Sequence, residues 1–125
     1  MVPGDLIYAL QTAYKEYLIP FKSDPYNSNP TVVKTILNID KVVENIKLLA
    51  DSLELSENEK HVAEIAAQFH DIGRIWLLLP ENAGSEIKDH AEASIEYLKT
   101  SPIFSQLDEP TQNIVIQVIR NHNQP

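Results

Sequence analysis

The chain has 125 residues, 43% hydrophobic and 22% charged, which is the size of one globular domain whose core needs no covalent staple. It has no cysteine, which excludes a disulfide framework and thiolate chemistry, and its 3 glycines form no phosphate-cradling loop. The net charge is −8, and residues 51–100 carry 11 acids against 4 bases, a surface that repels nucleic-acid phosphates.

No apolar run approaches the roughly 20 residues of a membrane span. Residues 1–10 lack the basic start and apolar stretch of a signal peptide. The expectation is a cytoplasmic protein with neither nucleic acid nor membrane as partner.

In chain order, Leu6, Ile7, Leu10, Ala13, Tyr14, Tyr17 and Leu18 repeat at helical spacing over residues 3–19. Pro3 suits a first turn and Pro20 a stop. Residues 20–30, with three prolines, read as a connector. Val33, Ile36, Ile39, Val42, Val43, Ile46, Leu49, Ala50 and Leu53 predict one face of a long helix, with Thr31 as its N-cap. Ser56-Glu-Asn-Glu59 is a capping box ahead of Val62, Ile65, Ala66 and Phe69, and Gly73 reads as the stop. Residues 75–79, Ile-Trp-Leu-Leu-Leu, are too short to assign by period.

Ser85 is a candidate cap for a helix carrying Ile87, Ala91, Ile95 and Leu98. Asp108 or Glu109 opens the last helix, with Pro110 in its first turn and a stripe of Ile114, Val115, Val118 and Ile119. The reading is an all-α bundle of about five helices, with residues 1–30 as an N-terminal helix and connector and 31–125 as the main helical unit.

The chemistry centres on histidine. His70-Asp71 pairs imidazole with carboxylate, both ordinary ligands of divalent transition metals, and Arg74 follows. His90 and His122 lie on later helices, so three histidines and an aspartate from three helices can meet in a bundle core. A histidine near a helix end more often caps carbonyls or faces water. His61, between Lys60 and Val62 on an early helical turn, reads as solvated. Trp76 reads as core, Tyr8, Tyr14 and Tyr17 as packing residues, and the acids of 51–64 as a solvated face.

Residues 31–123 resemble the HD-domain superfamily of metal-dependent phosphohydrolases. The resemblance rests on Val42-Val43-Glu44-Asn45, Leu48-Leu49-Ala50 and Ala63-Glu64-Ile65-Ala66-Ala67. It continues through His70-Asp71-Ile72-Gly73-Arg74, Asp89-His90-Ala91-Glu92 and Ile119-Arg120-Asn121-His122-Asn123. It implies His70, Asp71, His90 and His122 as metal ligands, with Asp71 and Arg74 as catalytic residues and Arg74 placed to contact a phosphate oxygen. The implied cofactor is a divalent transition metal (Mn, Fe, Ni, Co or Zn) that activates water against a phosphate ester.

Two departures from the family stand out. Asn38 occupies the place of the first histidine ligand, and an amide is a poor ligand for such metals. The family's last aspartate would fall beyond Pro125, so a shortened domain with an incomplete site is expected. Two function classes stay open. One is a phosphohydrolase-like protein acting on or binding a nucleotide or other small phosphate ester. The other is an inactive HD-like module that binds a ligand or a protein. Apolar surface left bare by a shortened domain predicts a homodimer, with fold-back of the N-terminal helix over the same groove as the rival cover.

Overall fold

The computed structural model describes residues 3–24 and 26–121. Among these residues six α-helices follow one another: α1 (Gly4–Leu18), α2 (Pro30–Ser52), α3 (Glu57–Phe69), α4 (Gly73–Trp76), α5 (His90–Lys99) and α6 (Glu109–Asn121). Short 3₁₀ turns lie at Ile19–Lys22, Pro80–Asn82 and Phe104–Gln106, and no strand occurs among the described residues. Five helices of ten residues or more make the all-α bundle, and α4 takes up part of the short apolar run that periodicity left unassigned.

The bundle is built around α3, which packs against α1, α2 and α6. Its last residue, Phe69, is fully buried, with Tyr14 of α1 edge-on at 5.7 Å and Tyr97 of α5 stacked at 5.9 Å. Tyr17 lies 4.7 Å from Tyr97. Aromatic pairs of this kind contribute about 0.5–1.5 kcal/mol each beyond their buried area. Through Ile7, Leu10, Tyr14 and Leu18, α1 folds back onto this cluster and joins the common core. Burial pushes the phenols of Tyr14 and Tyr17 far above their ordinary pKa, so both stay protonated, whereas Tyr8 is 72% exposed.

Several local expectations need correction. The N-cap of α2 is Asn29, not Thr31: its Oδ1 accepts from the Thr31 amide at 2.9 Å and the Val32 amide at 3.3 Å. Pro30 then occupies the first turn, where an N–H would have no partner. The buried stripe of α2 runs through Val32, Thr35, Ile39 and Ala50. Val33, Leu49 and Leu53, expected inside, are 40%, 53% and 60% exposed. The capping box at Ser56 and Glu59 forms as read, with both bonds present. Ser85 accepts only from Ile87 in a turn, and α5 starts later, at His90, capped by Asp89 on the Glu92 amide at 3.0 Å.

Gly73 is not a left-handed helix stop. α3 ends on His70 in right-handed helical geometry, and no glycine among the described residues has positive φ. Gly73 is required by close approach. A Cβ there would strike the His90 carbonyl oxygen and stand 2.5 Å from the Ser94 nitrogen. The facing surface of α5 is correspondingly small: Ala91, Ala93 and Ser94 are all buried. The Ser94 hydroxyl accepts from the Gly73 amide at 2.7 Å and donates to the His70 carbonyl at 3.1 Å. One side chain thus ties the turn after α3 to α5.

Gly73→Ala is expected to destabilise the protein by about 3 kcal/mol, the upper range for forcing a methyl group into a packed interior. Ser94→Ala should cost about 1–3 kcal/mol, because it strands a buried amide. Urea unfolding curves measure both.

Candidate functional site

His70 closes α3, and Asp71 follows in the turn before α4, both buried. His70 Nδ1 lies 2.6 Å from the Ala67 carbonyl and donates to it. Its Nε2 stands 3.6 Å from Asp71 Oδ2. His90, at the start of α5, places its Nε2 3.5 Å from Asp71 Oδ1. The fold therefore brings His70, Asp71 and His90 together. His122 lies outside the described residues. His61 stands apart on α3, with its Nε2 4.0 Å from Glu57.

Two further side chains reach the same carboxylate. Asn38 of α2 donates through Nδ2 to Asp71 Oδ2 at 3.3 Å. The amide orientation follows from the partner, since the reverse would set oxygen against carboxylate. Arg74 of α4 sets its Nε 3.3 Å from Asp71 Oδ1, and its Nη2 donates to His90 Nε2 at 3.3 Å. The Asp71 side chain thus lies against a guanidinium and accepts from an amide, the kinds of partner a buried carboxylate needs.

On the side toward solvent lies a polar pocket of about 380 Å³, lined by Thr31, Lys34, Thr35, Asn38, Asp71 and Arg74. The sequence reading did not single out Thr31, Lys34 or Thr35 as site residues. Their signal was present in the steps from 31 to 34, 35 and 38, which place all four α2 residues on one face.

Behind this group, Glu92 of α5 holds Arg120 of α6 through two bonds, 2.9 and 3.1 Å. Arg120 keeps the Glu92 carboxyl below its ordinary range. The pair joins two motif segments separated by 28 positions, and it pins the helix that presents His90.

A family model for the HD domain matches residues 40–125, and the chain belongs to the HD-domain family. Searches of curated proteins and of solved structures found no match. Membership suggests a metal-dependent phosphohydrolase-like protein, since HD domains typically bind divalent metals.

The donor set among the described residues does not fit such a metal. Among the described residues no group of three His, Cys, Asp or Glu side chains is placed to hold an ion; His70 and His90 approach different oxygens of Asp71, at 3.6 and 3.5 Å. The two oxygens of Asp71 face Asn38 and Arg74, and the guanidinium also faces His90 Nε2, which opposes a second cation there.

The Glu92–Arg120 pair predicts a pH signature. A carboxyl whose pKa is depressed on folding adds stability above its unfolded value, near pH 4.3, and loses it as pH falls through the folded value. Glu92→Gln should therefore lower the melting temperature slightly at pH 7, and the gap from wild type should close as the pH falls below 4. Both side chains are more than 40% exposed, so added salt should narrow the gap at pH 7.

Proposed function

We propose that this chain is a phosphohydrolase-like HD protein that takes a nucleotide or other small phosphate ester into the pocket between α2 and α4, and holds it without a complete metal centre. The observation that carries this reading is a cationic mouth on an acidic protein. Lys34 and Arg74 line the pocket against the single acid Asp71, while the whole chain has net charge −8. Arg74 offers a fork of donors suited to phosphate oxygens, and Lys34 offers a compact charge beside it. Thr31 and Thr35 add hydroxyls, and the Asn38 amide completes the rim.

In this reading Asp71 is a positioning residue. Its carboxylate orients Arg74 and Asn38 from behind, and His90 receives the other arm of the guanidinium. His70, fixed by its bond to Ala67, turns its other ring nitrogen toward the same carboxylate. The grouping of His70, Asp71 and His90 supports a second reading, a hydrolase that recruits a divalent transition metal. Metal content separates the two.

Titration calorimetry with a nucleoside monophosphate tests the first reading. Arg74→Met should weaken binding about 10- to 100-fold, the equivalent of one lost charge-assisted hydrogen bond worth about 1.5–3 kcal/mol. Equal affinity in the variant overturns the assignment.

The metal side has its own expected outcome. Purified wild-type protein should hold well under one equivalent of Mn, Fe, Ni, Co or Zn by elemental analysis. The double variant Asn38→His with Arg74→Ala replaces a weak ligand by imidazole and removes the competing cation, so its metal affinity should rise. A full equivalent in wild type would favour the hydrolase.

A further inference from the structure

We infer that the ligand of this site is an amphiphile, a free single-chain alkyl or acyl phosphate monoester. Its head lies at Lys34 and Arg74, and its tail lies in an apolar trough next to them. This rests on the phosphate-binding reading above and adds what occupies the space beside it.

One face of α2 carries both halves. Thr31, Thr35 and Asn38 line the polar pocket, and Val42 and Ile46 continue the same face one and two turns further on. Those two line a second cavity of about 540 Å³. Its other walls come from Val62, Ala63 and Ala66 on α3 and from Ile114 and Val118 on α6. The N-terminal helix α1 folds back elsewhere and adds nothing to these walls, contrary to the expected rival cover.

The His-Asp doublet stands between the two cavities. His70 lines the apolar trough and Asp71 lines the polar pocket, with only 3.6 Å between the facing atoms. From Thr31 to Ile46 the helix rises about 22 Å, room for a head group followed by an extended chain.

Charge complementarity selects the occupant. Lys34 and Arg74 line the polar pocket, whereas the trough offers mostly hydrocarbon, with Asn58 and Glu59 also on its wall. An uncharged apolar molecule would leave the cations unused. A nucleotide would leave the trough unfilled, with Ile114 and Val118 still about half exposed. An anionic bilayer is disfavoured by the net charge of −8, because membrane surfaces recruit polybasic segments. The combination fits one anionic head and one hydrocarbon tail, bound as a free molecule.

Titration calorimetry of the intact chain with inorganic, methyl, butyl and octyl phosphate, each below its micellar concentration, tests the inference. Affinity should rise about fourfold per methylene until the trough is filled. A flat series with inorganic phosphate still bound overturns the amphiphile and leaves the phosphate reading standing. Absence of binding by every member overturns both. Octanol or octylammonium binding as tightly as octyl phosphate would show that the cations are not used, and also overturns the proposal.

Two variants probe the trough itself. Ala63→Trp fills it, and Val118→Glu, at a half-exposed position, charges its wall. Each should reduce the ratio of octyl to methyl phosphate affinity at least about tenfold, and an unchanged ratio in both overturns the assignment. Sedimentation with saturating octyl phosphate supplies the last arm. A persistent dimer gives the trough to a second copy of the chain, co-sedimentation with anionic vesicles gives it to a membrane surface, and either result overturns the proposal.

Discussion

The contact on which this structure turns is the crossing of α5 over Gly73. Two backbones touch where the glycine has no side chain, and Ser94 fastens them by bonding the Gly73 amide and the His70 carbonyl. Three consequences follow. The chain after Phe69 is held in a compact turn, so His70 and Asp71 face the same space although neighbouring helical positions point about 100° apart. The first turn of α5 is drawn in, which delivers His90 to within 3.5 Å of Asp71. Arg74, one residue beyond the glycine, then starts close enough to contact both. Without the crossing there is a helical bundle but no site.

Asp71 poses the second constraint. A nearly buried carboxylate must be compensated or protonated, and a metal ion, a cation or hydrogen-bond donors each compensate it. This chain supplies a guanidinium and an amide. Asn38 is informative here because its amide nitrogen donates to Asp71 Oδ2 and has no lone pair for a metal, whereas an imidazole can offer one. The arrangement sets Arg74 against the carboxylate of the His-Asp doublet. Family membership and a working metal centre are thus separable properties, since the first follows from helices and the second from donor atoms.

Much of this was legible in the residues. Helical periods, the Ser56 capping box and the Pro110 start of α6 are local signals, and the structure bears them out. Gly73 was misread because a glycine after a helix has two explanations, a left-handed turn or a close approach, and only the partner element tells them apart. The partner left a trace in the small residues Ala91, Ala93 and Ser94, which mark a helix face built to approach backbone. The face of α2 was misjudged by one position. Val32 and Val33 are equal in hydrophobicity, and only the packing of neighbours decides which is buried. Lys34 and Arg74 lie 40 positions apart, and no period in the sequence relates them.

The length of α2 explains why one domain can present two chemistries side by side. The part near its N-terminus faces α4, where the turn after α3 exposes polar groups, and its middle faces α3, whose small residues Ala63 and Ala66 leave hollow space. A straight helix carries its register from one region into the next, so positions 31, 35, 38, 42 and 46 form a single line. The first three are polar and the last two apolar, and the change falls where the His-Asp doublet stands. His70 borders the apolar region and contacts Asp71 of the polar one. One of its ring nitrogens is anchored to the backbone, its other nitrogen faces the carboxylate, and its side chain borders the hydrocarbon wall.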